Sequence, residues 1–168
     1  MLEFLLTDFR IMRRSDREKD SEWALTVFDK APFITVGMVT PDGMPYSVPL
    51  SLARKDDDTF YFHCATEGKK LDCLKTNPNV FLSAVTKCAP KFEEKTQNFT
   101  KLYNSAMAIG IAEFVEDRTE KIEALRLICE RFLPRYMDKF DAAIARSLDR
   151  TLVVKIKLTE PPVGKQKA

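Results

Sequence analysis

Histidine occurs once in this chain, at position 63, and the four cysteines at 64, 73, 88 and 129 form no C-x-x-C pair. A structural zinc site needs about four nitrogen or sulfur ligands at characteristic spacing, so none is expected. Charge of one sign is also missing. The 27 basic and 25 acidic residues leave a formal net charge of +2, and nucleic-acid binders normally carry a basic stripe. The cluster Arg10, Arg13, Arg14 and Arg17 is interrupted by Asp16, Glu18 and Asp20, which reads as a solvated face. No apolar run approaches the roughly 20 residues of a membrane span. The first residues, MLEFLLTDFRIM, contain Glu3, Asp8 and Arg10 and lack the basic n-region and small-residue cleavage site of a signal peptide. The expectation is a soluble, cytoplasmic protein with reduced thiols, Cys64 and Cys73 serving as small buried hydrophobes.

What is present is an ordinary globular composition, 45% apolar and 31% charged over 168 residues. That length predicts one domain, read here as residues 21–160, with residues 1–20 as an N-terminal arm. Residues 161–168, carrying Pro161, Pro162 and Gly164, read as a disordered tail.

Helical and extended periods alternate along the chain. Ser21 to Lys30 reads as a helix capped by Ser21, with Trp23, Val27 and Phe28 on its apolar face and Pro32 behind it. Phe33–Thr40 and Pro45–Arg54 read as strands around the turn residues Pro41-Asp42-Gly43, and Lys55–Asp58 turns the chain into the strand Thr59–Cys64. The helix Lys69–Thr76 stops at Asn77-Pro78, and Val80–Thr86 resumes as a strand. Cys88–Leu102 is polar, carries Pro90, and reads as a long loop or an irregular crossing. Tyr103–Val115 is a strand, Asp117–Phe132 the clearest helix, Tyr136–Ser147 a further helical stretch, and Thr151–Leu158 the closing strand. Six strands, the first three joined by tight turns, predict a mainly β, α+β fold: a six-stranded antiparallel split barrel with flanking helices.

Chemistry concentrates at Thr59–Pro78, TFYFHCATEGKKLDCLKTNP. A helix N-terminus offers unpaired N–H groups and partial positive charge; Lys69 and Lys70 there oppose folding unless an anion such as phosphate binds. His63 sits one short turn upstream, and it reads either as a functional group or as a satisfied strand-end residue. Strand 45–54 has bulky Tyr46, Val48, Leu50 and Leu52 against small Ser47, Pro49, Ser51 and Ala53, and Pro49 marks an edge or bulge. Strand 105–115 sets Ala106, Ala108, Gly110 and Ala112 against Met107, Ile109 and Ile111. A smooth small-residue face suits either a flat ligand or tight barrel packing.

The stretch VGMVTPDGMPYSVPLSLARKDDDTFYFHCATEGKKLDCLKTNPNVFLS resembles the first half of the pyridoxamine 5′-phosphate oxidase-like flavin-binding split barrels, and within them the 5-nitroimidazole resistance (Nim) branch. The likeness runs from Met12-Arg13-Arg14-Ser15-Asp16-Arg17 through Tyr103–Gly110 to Asp149-Arg150-Thr151. It implies that Met12 is the natural start and residues 1–11 an extension. It also implies an FMN-binding homodimer with the flavin at the subunit interface. Lys69 and Lys70 would hold the phosphate and Gly68 would let the backbone approach it. Val48, Pro49, Leu50 and Ser51 would line the ring and ribityl chain, with His63, Cys64 and Ala65 touching them from the neighbouring strand. Ser105 and Arg150 would reach across from the partner subunit. Relatives carry an aromatic residue where this chain has Leu148. The arginine-rich segment that holds a substrate phosphate is reduced to Arg146-Ser147-Leu148-Asp149-Arg150, which argues against pyridoxamine 5′-phosphate oxidation itself. The expected function is an FMN-dependent oxidoreductase reducing a small nitroaromatic or related acceptor, with a reduced nicotinamide or another donor and His63 as proton donor or substrate-orienting group. A flavin-storage module without turnover and a haem-binding split barrel are the alternatives.

Overall fold

The computed structural model describes residues 12–168; residues 1–11, including Arg10 and the expected extension, lie outside the described part. The chain enters through a single 3-10 turn at Ser15–Arg17, where the Arg14 guanidinium donates to Asp16 at 2.7 and 2.5 Å and holds that exposed carboxyl down at about 2. Strand β1 (Glu18–Lys19) leads to helix α1 (Ser21–Lys30). The cap of α1 is Asp20 rather than the expected Ser21: its carboxylate accepts the Trp23 amide at 2.8 Å, and a charged acceptor at a helix N-terminus is favoured twice over.

Strands β2 (Ile34–Val39), β3 (Pro45–Leu50), β4 (Ala53–Arg54) and β5 (Thr59–Cys64) follow, then helix α2 (Lys69–Thr76). Two long strands come next, β6 (Asn79–Glu93) and β7 (Asn98–Phe114). Helices α3 (Arg118–Phe132) and α4 (Phe140–Ser147) precede β8 (Leu152–Leu158) and β9 (Val163–Lys167). Among the described residues there are thus nine strands and four α-helices, every strand pairing antiparallel. The α+β class and the antiparallel β architecture are as the sequence predicts; the strand count is larger. No described helix is long and apolar enough to cross a membrane.

The sheet order is β3-β2-β6-β7-β8-β5-β4, with β9 joining β7 and β1. Its two outermost members, β3 and β4, are joined by Ser51 and Leu52 alone. The chain therefore closes the sheet into a barrel at one point, and among the described residues β3 pairs only with β2. Pro49, which has no N–H to donate, sits on that open edge, and the predicted single strand 45–54 breaks there in two.

Inside the barrel, Phe28 of α1 meets Phe60 edge to face at 5.5 Å, and Val36, Phe62, Leu82 and Ile156 are fully enclosed. Ala106 and Ala108 are also enclosed, and a Cβ on Gly110 would stand 2.7 Å from the Lys157 carbonyl oxygen. The small-residue face of β7 is therefore tight packing rather than a ligand surface. A second core lies outside β5 and β8, where Leu125, Ile128, Phe140 and Leu148 of the helical layer cover Tyr61 and Val153.

Three further expectations are corrected. Cys88–Leu102 is not a loop: the β6–β7 ladder continues through it from Cys88↔Tyr103 to Glu93↔Asn98 after a bulge between Val85 and Lys87. Residues 161–168 are not a disordered tail, because β9 pairs Val163–Lys167 with β7 and Glu18–Lys19 with Lys165 and Gly164. Gly164 packs so closely on Trp23 that an added Cβ would meet its ring at 2.4 Å, so the residue read as a tail signal is a packing device. The stretch 136–147 divides into a 3-10 segment Pro134–Lys139 and α4.

Candidate functional site

Helix α2 begins without a side-chain cap. Its N-cap is Gly68 at φ 131, a conformation that L side chains rarely adopt. The first amides of α2 start from a glycine corner with two lysines beside them and no side-chain cap, while Leu71, Cys73 and Leu74 anchor the helix in the core.

The two lysines diverge. Successive helical residues point about 100° apart, and Lys69 turns to the β2–β3 hairpin, where its ammonium stands 5.1 Å from the centre of the Tyr46 ring. The Asp42 carboxyl of the same hairpin is held below its ordinary range, first by the Thr40 hydroxyl that donates to it, then by its own backbone, and also by Lys69. Lys70 turns toward the end of β5, where its charge acts on His63 and Cys64.

Strand alternation separates those two residues. Cys64 points inward and belongs to the barrel core; burial pushes its thiol up, with Lys70 opposing. His63 points outward, opposite Val153, and is exposed. The protein around it lowers its pKa below 6.5, and Lys70 lowers it further. At neutral pH the ring is therefore an uncharged donor and acceptor rather than a cation. Ala65 follows, exposed, at the mouth of the turn into α2.

On β3, Val48 and Leu50 pack against the core, while Pro49 and Ser51 are exposed. Ser105 lies elsewhere on the barrel, opposite Val85 and Lys165, its hydroxyl donating to the Lys165 carbonyl at 3.4 Å. Arg150 is exposed and donates to the Arg146 carbonyl at 3.4 Å, two residues before Leu152, whose partner across the ladder is Cys64. Gly68, Lys70, His63, Ala65 and Arg150 thus gather at one end of the β5–β8 pair, and Ser105 does not. Leu148 is 3% exposed and forms part of the outer core, so this position supports the helical layer instead of presenting a ring to the site. The sequence reading overlooked Tyr46 as a site residue. The signal for it was its place among the bulky residues of β3, close in the fold to the basic start of α2.

A bare face accompanies this site. Outward-pointing residues of four neighbouring strands are Pro45, Ser47 and Pro49; Thr35, Gly37 and Val39; Phe81, Ser83 and Val85; and Ser105, Met107, Ile109 and Ile111. None carries a charge, and Val39, Phe81, Val85 and Ile111 are 37–48% exposed.

The pyridoxamine 5′-phosphate oxidase family model matches residues 20–163. The chain belongs to this family. Among curated proteins none matches it. Solved structures share its fold: a Bacteroides thetaiotaomicron protein provisionally assigned to 5-nitroimidazole antibiotic resistance is 24% identical, with 88% of this chain and 84% of that one covered at a TM-score of 0.73. The flavocytochrome Anf3 of Azotobacter vinelandii is 21% identical over 94% of this chain and 72% of its own, TM-score 0.80. A FAD- and haem-binding protein of Mycobacterium smegmatis is 22% identical over 90% and 73%, TM-score 0.76.

Proposed function

We propose that this family member binds FMN at the start of α2 and acts as an oxidoreductase on a small nitroaromatic acceptor, taking electrons from a reduced nicotinamide. The observation that carries the reading is the uncapped Gly68-Lys69-Lys70 corner. Amides without a side-chain cap, a glycine at φ 131 and a lysine turned toward the only histidine form an anion cradle whose charge is otherwise unfavourable to the helix. When bound, the flavin supplies the electron-transfer chemistry.

The remaining roles belong to the chain. Lys70 and the first amides of α2 hold the phosphate by charge-assisted hydrogen bonds, each contributing about 1.5–3 kcal/mol. The open edge of β3, from Val48 to Ser51, lies along the cofactor, and Ala65 and Cys64 bound it from β5. His63, uncharged at neutrality, orients the acceptor by donating a hydrogen bond from its ring N–H. Lys69 holds Tyr46 in place beside the phosphate site. The bare face of β3, β2, β6 and β7 meets the same face of a second copy, giving a homodimer with a cofactor at each end of the contact and Ser105 near its middle.

The names of two similar structures include haem, and His63 is this chain's one imidazole, so a haem-binding role is the competing reading. Purified protein mixed with FMN and desalted distinguishes them. Retained flavin absorbance that bleaches with a nicotinamide donor and returns with a nitroimidazole supports the proposal. Retained flavin without turnover supports a storage module, and a Soret band formed with haem alone, with no flavin retained, overturns it.

A further inference from the structure

The bare face does not end with the barrel. Strand β7 continues the alternation outward from Ser105 through Tyr103 and Lys101 to Phe99, and β6, shifted by its bulge, matches it with Cys88, Pro90 and Phe92. Beyond Tyr103, the last residue of β7 paired to β9, this is a two-stranded arm. At its tip Phe92 and Phe99 face each other at 4.9 Å, and Phe99 is 90% exposed, the most exposed large apolar residue described. An isolated hairpin with solvent on both faces is marginal in water, and an aromatic pair at its end is costly unless something covers it. Lys101 is the only charge on this face of the arm.

The opposite end of the same face holds a hollow. Gly37, having no side chain, leaves a depression of about 270 Å³ bounded by Val39, Pro45, Tyr46, Ser47 and Asn79. Gly37 is in register with Phe81, and Phe81 with Ile109. Phe99 lies ten residues from Ile109 along β7, about 34 Å at strand rise. Near the middle between them, six residues from Phe99 and four from Ile109, is Ser105, opposite Val85, which is 48% exposed. A two-fold axis lying in the face near this pair brings each arm tip toward the hollow end of the other copy, and an isologous contact repeats that fit twice.

We propose that Phe99 of each subunit seats in the Gly37 hollow of a second copy, so that the β6–β7 arms clasp the dimer beside Tyr46 and the Lys69 strap of the partner site. The inference rests on the homodimer reading above and adds a specific lock to it. The occupant is a second copy because aromatic tip and hollow lie on one continuous apolar face, on opposite sides of its middle.

The test is a double-mutant cycle on the full chain, read as the dimer dissociation constant by sedimentation. Phe99→Ser removes the knob from an exposed tip. Gly37→Val fills the hollow, and its added Cβ meets nothing nearer than 3.5 Å within its own chain. Each single variant is expected to weaken the dimer at least tenfold, and the double variant by little more than either, since both break one contact. Fully additive losses, or no loss from either variant in a protein that still dimerises, would overturn the lock while leaving the homodimer reading intact. A wild-type chain that sediments as a monomer at high concentration would overturn both.

Discussion

The outer surface of one barrel is finished in two different ways. Over β4, β5 and β8 the chain lays its own helices, and Tyr61, hydrogen-bonded to Glu120 at 2.8 Å, disappears with Val153 beneath α3 and α4. The carboxylate there is shared with Lys155, 3.5 Å away, which also reaches Glu113 at 3.3 Å. Over β3, β2 and the barrel stretches of β6 and β7 the described residues lay no helix, and the outward side chains there carry no charge, with Val39, Phe81, Val85 and Ile111 part-exposed. Side chains of the same type are thus enclosed by helices on one side and left part-exposed on the other. The candidate site lies where the two treatments meet, at the open edge of β3 and the end of β5.

Charges placed on each side should have different effects. Ile128→Asp, in the covered layer at 4% exposure, buries a carboxyl with no partner and is expected to prevent stable folding, a loss of about 4 kcal/mol or more. Val85→Asp, on the bare side, should leave the melting of the protomer nearly unchanged while abolishing the dimer in sedimentation. If Val85→Asp unfolds the protein instead, the bare face is structural and the contrast fails. Next in size is Leu148→Ala, expected to lower unfolding free energy by about 2–5 kcal/mol in denaturant titration. Unchanged stability with weaker flavin binding would return this position to the cofactor.

The site itself should prove asymmetric. Lys70→Ala is expected to weaken FMN by roughly 10- to 100-fold, the worth of a charge-assisted bond, and Lys69→Ala by clearly less, since its charge is engaged with the Tyr46 ring. Equal losses would contradict the divergence of the two side chains. The smallest effect is on pH. Because the folded His63 titrates below 6.5, the unfolded chain takes up its proton first as pH falls. Its contribution to stability is therefore full above 6.5 and is lost as pH falls through the folded value. The single imidazole makes a proton NMR titration unambiguous, and His63→Gln should remove that slope. A histidine titrating above 6.5 without ligand would refute the sign.

Much of this was legible in the sequence because it is local. Turn residues at Pro41-Asp42-Gly43, the stop at Asn77-Pro78 and the apolar period of α3 each act over a few residues, and Gly68-Lys69-Lys70 marks the lysine-bearing start of α2 by its order alone. The misread segments were those whose structure comes from distant partners. Cys88–Leu102 carries its polar residues on one face of an arm whose strands pair only with each other beyond Tyr103, and Val163–Lys167 is a strand because β7 and β1 offer edges to it. The direction of each lysine was hidden for the same reason, since Tyr46 is distant from α2 in sequence and adjacent to Lys69 only in the fold. Small residues on β7 looked equally suited to a ligand or to packing, and only the 2.7 Å clearance at Gly110 distinguishes the two.

The most direct test is a fluorescence titration of FMN into the wild-type chain and into Lys69→Ala/Lys70→Ala. The account predicts saturable quenching at one flavin per chain in the wild type and at least a hundredfold weaker binding in the double variant, with sedimentation unchanged. A chain that takes up no FMN, or a double variant that binds it equally well, would contradict the assignment of the α2 corner as the phosphate site.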